Sequence, residues 1–195
     1  MKKKTQKMII ATVMVTLYLA LFACSTKPEI KTQKDAHKDS IRTVTQQTLV
    51  QLYKNEPATK GAVAGAAGYA VFSDFGFKVM FMGGAHGKGM AVSNATKRET
   101  FMKMVELQPG LGVGAEKFRV VLIFENPKAY NQFVTSGWEL GANAMAVAKS
   151  GSKGGAAAGA VLFRGGVKMY QLDATGAIVG VSITGAKYYK DKDLN

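Results

Sequence analysis

The chain has 195 residues, with 26 Lys and Arg against 13 Asp and Glu, two His, one Cys and 22 Gly. That length can bury one real core plus accessory segments, and a hydrophobic content of 47% excludes bulk disorder. One cysteine excludes an internal disulfide framework and a Cys-rich metal site, and two histidines leave little material for a zinc or iron centre.

Met1–Lys7 carries Lys2, Lys3, Lys4 and Lys7, and Met8–Ala23 then runs for sixteen residues without a charge. As a helix that run reaches about 24 Å, short of a hydrocarbon core of about 30 Å. A basic start and a short apolar run describe an export signal over residues 1–23. Leu21-Phe22-Ala23-Cys24 resembles the bacterial lipoprotein signal. The resemblance implies that Cys24 is acylated and becomes the first residue of the mature chain. Two or three acyl chains, each buried CH₂ worth about 0.8 kcal/mol, imply near-permanent membrane attachment. Cleavage there removes four lysines and no acids, and lowers the net charge from +13 to +9. Ser25 after the cysteine implies, by resemblance to Gram-negative lipoproteins, the outer membrane over the inner and a domain facing the periplasm if the envelope is Gram-negative; in a Gram-positive envelope the anchor lies in the single membrane.

Residues 24–33 read as a lipidated tether, with Pro28 among polar residues. From Lys34 to Asn55 the pattern is helical. Ile41, Val44, Thr48, Leu49, Leu52 and Tyr53 make an apolar stripe, Thr32 and Asp35 offer a capping box, and Pro57 limits the far end. Lys34, Lys38, Arg42 and Lys54 are assigned to the opposite face. That face is either a solvated surface over a docked stripe or a surface for anionic headgroups, where each cation is worth about 1 kcal/mol.

All 22 glycines lie between Gly61 and Gly185. A short helix is expected over Glu56–Ala67. Strands are expected at Tyr69–Phe72, Phe77–Met82, Gly87–Ala95, Thr100–Leu107 and Lys117–Glu125. The last has apolar residues on both faces, the mark of a central strand. Asn126-Pro127 opens a helix to about Ser136, with Asn as N-cap, Gly137 as stop, and Tyr130, Phe133 and Val134 inward. Val167–Leu172, a turn at Asp173–Gly176 and Ala177–Thr184 read as a hairpin. The expected class is α+β: a mainly antiparallel, glycine-rich sheet or barrel-like core, with an N-terminal helix and two or three short helices packed on it.

The apparent catalytic motifs fail their context. Gly110–Ala115 fits G-x-G-x-x-A, but a strand follows where a dinucleotide site needs a helix. Gly83–Gly89 looks like a phosphate loop, yet Gly89 follows Lys88 where Ser or Thr is required, and Met82 stands where the first Gly belongs. His86 has no acid within ten residues, His37 sits among polar residues, and Glu99, Glu106, Glu116 and Glu125 are scattered. No enzyme, cofactor or metal is expected. Lys149–Gly159 reads as a small, basic loop. Aromatics at core positions, not interleaved with the cations, argue against nucleic acid.

Gly68-Tyr69-Ala70-Val71-Phe72, Gly76-Phe77, Gly83-Gly84 and Gly87-Lys88-Gly89 resemble the opening of the SYLF domain, a lipid-binding module also found in eukaryotic actin regulators. The likeness continues through Leu111–Glu116, the strand Val120–Phe124, Leu140-Gly141-Ala142 and the C-terminal residues Lys190–Asn195, and so covers residues 34–195. Ser73 stands where that family usually has Pro, and Val113 where it has Gln. The resemblance implies non-catalytic binding of membrane lipid, in part through a basic N-terminal helix, and the expected ligand is the headgroup of anionic phospholipid or a related envelope polyanion. The candidate lipid-binding residues are Lys34, Lys38, Arg42, Lys54 and Lys60, with Cys24 as the lipid anchor. The alternative is a structural module that docks an envelope protein.

Overall fold

The computed structural model describes residues 27–141, 159–163, 165–181, 183 and 185–195, with the side chains of 27–30, 75–83 and 107–116 outside the description. The export signal, residues 24–26 of the tether, Cys24 among them, and all but Gly159 of the 149–159 loop therefore lie outside the described residues. The chain divides into two compact units, residues 1–38 and 39–195. The sheet, the short helices and the hydrophobic core all belong to the second unit. No helix among the described residues is long and apolar enough to cross a membrane.

Among the described residues, ten elements occur in chain order. They are α1 (Lys27–Asn55), α2 (Ala58–Gly65), β1 (Gly68–Ser93), β2 (Glu99–Phe124), α3 (Pro127–Ser136), β3 (Trp138–Leu140), β4 (Ala160–Phe163), β5 (Val167–Asp173), β6 (Ile178–Val179) and β7 (Gly185–Lys190). The class is α+β with an antiparallel sheet, as expected. Helix α1 begins at Lys27, inside the segment expected to be a tether, so Thr32 is a helix-interior residue and not a cap. Helix α3 obeys its local signals closely. Asn126 is the N-cap and accepts from Lys128 N at 2.8 Å, Pro127 opens the helix, and Gly137 ends it at a φ of +77°.

The sheet is organised around β2. Its residues 99–124 pair with β1 along one edge, from Val92↔Glu99 to Gly68↔Phe124. The other edge is shared, with β7 paired to Met102–Leu107 and β5 to Phe118–Phe124. Strand β3 extends the sheet beyond β7, and β4 and β6 pair with β5. The several short strands read from the sequence are thus two strands of 26 residues each. Glycines that punctuate a sequence do not have to end a strand. Here they sit inside the ladder, which a register shift between Met80 and Met82 bends without breaking.

A straight 26-residue strand would run about 86 Å. This one instead curls back on itself. A Cβ on Gly87 would lie 3.1 Å from the carbonyl oxygen of Ser73, and one on Gly89 would collide with the carbonyl oxygen of Val71. Only hydrogen in place of a side chain lets the two parts of β1 approach so closely. That is the structural meaning of Gly87-Lys88-Gly89, and it closes the phosphate-loop reading of residues 83–89, which are strand. The G-x-G-x-x-A match at 110–115 likewise lies inside β2.

Alternation along the strands separates two core faces. Ala70, Phe72, Met102, Met104, Phe118, Val120, Leu122 and Phe124 face inward, and Tyr130 and Phe133 of α3 close that side with Tyr188. Phe133 lies 4.8 Å from Phe124 and 5.7 Å from Tyr188 between ring centroids. Val71, Val121, Ile123, Tyr170 and Leu172 face the other way, under Leu49 and Leu52 of α1, Val63 of α2 and Ala66 just after it. Leu52 is fully buried, and such a side chain contributes about 1.5–3 kcal/mol. Ile41 packs in a third cluster with Met90, Val92, Phe101 and Leu194. All three clusters draw on residues from Ile41 onward, so a chain starting at residue 25 keeps the whole core.

Candidate functional site

The five cations proposed from the sequence meet different fates. In the first unit, Lys34 is exposed and Lys38 half-buried. In the second, Arg42 does not belong to a solvent-facing surface. Its guanidinium binds Glu99 through Nε at 2.9 Å and Nη2 at 2.7 Å, and Asp39 through Nη1 at 2.7 Å. It also lies 5.4 Å from the centre of the Phe101 ring. Ile41 and Thr45, its neighbours on the helix, are buried. The placement of Arg42 on the face opposite the apolar stripe is therefore corrected. Glu99, at the start of β2, draws Arg42 to the sheet side, and the hydrogen bonds to both acids hold it firmly protonated. Lys54 in the last turn of α1 and Lys60 in α2 are exposed and, among the described residues, have no ion-pair partner.

Acids elsewhere on the surface are largely committed. Lys103 bridges Asp191 at 3.1 Å and Asp193 at 3.2 Å, Lys168 holds Glu125 at 2.6 Å, and Lys187 faces Glu139 at 3.7 Å. Among the described residues, the exposed charges left without an ion pair are mostly positive. His86 is exposed on β1 opposite Val105, with small neighbours in Ala85 and Gly87.

Sequence reasoning missed two features. Asp74 and Glu106 are 3% and 1% exposed, on the inner face with the buried Tyr188. Burial pushes the Tyr188 hydroxyl well above the usual tyrosine range, and the two carboxylates push it further. They come together because β1 folds over itself, which no local pattern announces. Neither acid lines a described cavity. The second feature is a pair of hollows flanking α3. One, of about 210 Å³, is bordered by Lys128, Gln132, Phe133 and Trp138. The other, of about 520 Å³, lies between α3, the β1–β2 turn and the end of β7, and carries Arg98 and Lys190. The adjacent Lys97-Arg98 between two strands was the available sequence signal, and Lys190 had none.

No group of three or more potential metal ligands gathers among the described residues. The described residues thus form a glycine-rich α+β domain with unpaired cations on its surface. Residues 105–195, from within β2 to Asn195, match the family described as Las17-binding protein actin regulator (Ysc84), the SYLF-domain class. The chain is also similar to beta cell expansion factor A of Aeromonas veronii, 34% identical over 164 residues. That match takes in 84% of this chain and 60% of the relative, so the chain spans well under the relative's full length. The family match omits α1 and β1, so it says nothing of the basic helix.

Proposed function

We propose that this chain is a non-catalytic envelope lipoprotein, anchored through an acylated Cys24, whose domain binds the anionic headgroups of membrane phospholipid. The observation that carries the reading is the imbalance of paired charge. Surface acids are mostly held by Arg42, Lys103, Lys168 and Lys187, while Lys54 and Lys60 stand exposed without an acid partner among the described residues. Such cations attract an anionic surface within about a Debye length. Lys34 belongs with them as a candidate, and Lys38 beside it; Arg42 acts instead as a clasp between α1 and β2. Facing the periplasm from an outer membrane is the location that the signal and Ser25 favour.

The test is co-sedimentation of residues 25–195 with vesicles, since without the anchor any binding belongs to the domain. Binding to phosphatidylglycerol vesicles that falls with salt, and falls further in the triple variant Lys34→Glu, Lys54→Glu, Lys60→Glu, supports the reading. Equal binding to phosphatidylcholine, or none at either salt, sinks it. A second reading, a module that docks an envelope protein, draws support from the family's description as binding a protein. It predicts binding to a protein partner that is insensitive to those lysines and sensitive to an apolar surface position such as Val50, which is 65% exposed.

A further inference from the structure

The larger hollow beside α3 has the composition of an anion site. Its lining is Ser93, Thr96, Arg98 and Thr100 from the β1–β2 turn region, Tyr130, Asn131, Val134 and Thr135 from α3, and Lys190 from β7. Two cations and five hydroxyl groups border this space, and its lining holds no acid. Arg98 and Lys190 are exposed and, among the described residues, neither has an ion-pair partner. The acids just beyond Lys190 are already taken, because Lys103 draws both Asp191 and Asp193 to itself.

The two cations also stand on fixed backbone. Lys97 N donates to Ser93 O at 2.8 Å, and Ser93 N to Arg98 O at 3.0 Å. This closed turn holds Lys97 at a φ of +58°. Lys190 is the last residue of β7, paired with Met102 of β2. Only the two side chains need ordering when a ligand arrives, which keeps the entropic cost low. Arg98 shares the lining of the hollow with Tyr130 of α3, and its charge opposes the effect of burial on the Tyr130 hydroxyl.

We propose that this hollow binds a phosphate group, with Arg98 and Lys190 as its two cationic walls and the hydroxyls of Ser93 and Thr96, which only accept within the turn, as supporting donors. The planar fork of Arg98 suits two phosphate oxygens at once, and Lys190 supplies a point charge from the facing wall. A volume of about 520 Å³ leaves space beyond the phosphate for the group that carries it. The phosphate belongs to a lipid headgroup or to a soluble phosphoester. The lipid source rests on the membrane reading above and gives it a defined place on the domain.

The experiment uses residues 25–195 and two double variants of equal charge loss: Arg98→Gln with Lys190→Gln, and Lys54→Gln with Lys60→Gln. Each is titrated with phosphatidylglycerol vesicles and, separately, with glycerol 3-phosphate by calorimetry. Loss of two cations that touch the headgroup weakens vesicle binding about 30-fold. We expect that loss in the Arg98 and Lys190 pair, and a smaller one in the Lys54 and Lys60 pair. Equal losses in both pairs, or an unchanged Arg98 and Lys190 pair, overturn the site while leaving the membrane reading in place. If the parent ignores vesicles but takes up glycerol 3-phosphate, and the Arg98 and Lys190 pair does not, the site stands with a soluble ligand and the membrane reading falls. Binding of neither ligand overturns the site.

Discussion

The α-carbon of Gly89 faces the carbonyl oxygen of Val71, an earlier residue of the same strand, with no room for a methyl group between them. This contact records how β1 turns back over itself and places Phe72 and Asp74 against the segment 85–89. A backbone oxygen cannot swing aside as a side chain can. Gly89→Ala is therefore expected to destabilise the domain by about 1–3 kcal/mol, the usual cost of overpacking. Gly61→Ala in α2, where nothing lies within 4 Å of the new atom, is expected to gain up to about 1 kcal/mol from helix propensity. Urea unfolding of both variants checks the contrast, and similar effects from the two would refute the account of β1.

Asn94 closes the turn region against α2. Its Nδ2 donates to Val63 O at 2.6 Å and Ala66 O at 2.9 Å, and its backbone N to Ala67 O at 3.0 Å. The first two acceptors are carbonyls at the end of a helix, which has no further turn to satisfy them. Asn94→Ala is expected to cost about 1–3 kcal/mol. Asn94→Asp removes the donor and should cost at least as much. Chemical denaturation reads both, and a neutral alanine variant would show that water replaces the amide.

The ion pair of Arg42 with Glu99 is about one-third exposed on each side, so solvent screens it. Glu99→Gln is expected to lose about 0.5–1 kcal/mol of stability at low salt, and less in 0.5 M salt, where the Debye length is only a few ångströms. The same variant should leave vesicle binding unchanged, since Arg42 acts between α1 and β2. A salt-independent loss would point to packing on Phe101 as the main contribution of Arg42.

Five tyrosines are raised above their ordinary range, chiefly by burial: Tyr53, Tyr69, Tyr130, Tyr170 and Tyr188, with Tyr130 pushed up to about 12. Each neutral phenol is favoured in the folded state. Below about pH 10 both states keep the proton, and this contribution to stability is complete. As the pH rises through 10 towards 12, the unfolded chain releases protons that the folded one retains, and stability falls. Alkaline titration should therefore show tyrosinate absorbance rising together with loss of the far-ultraviolet dichroism. Ionisation of these residues well ahead of unfolding would contradict their burial.

Leu194 and Asn195 are fastened to the start of β2. Leu194 is 4% exposed beside Phe101, and the Asn195 side chain bonds both the N–H and the C=O of Phe101 at 3.1 and 2.8 Å. Deleting Leu194 and Asn195 is expected to lower the melting temperature by several degrees, as the loss of about 2 kcal/mol does in a domain of this size. An unchanged melting temperature would show that the end contributes nothing.

Much of this was legible in the residues alone, wherever the cause is local. Asn126-Pro127 and Gly137 set the bounds of α3 because capping and the φ of proline act within a few residues. The alternation at 118–124 announced a strand covered on both faces because side chains in a strand alternate with period two. Ile41, Leu49 and Leu52 marked the docked face of α1 for the same kind of reason. The tertiary structure alone decided the rest. Whether the glycine-rich runs of β1 and β2 end strands or bend them depends on which backbone passes close by. Whether Arg42 faces solvent or the sheet depends on where Glu99 arrives, 57 residues later. Arg98 and Lys190 share one hollow only because β7 pairs with β2 beside the turn that carries Arg98, and sequence spacing holds no trace of that pairing.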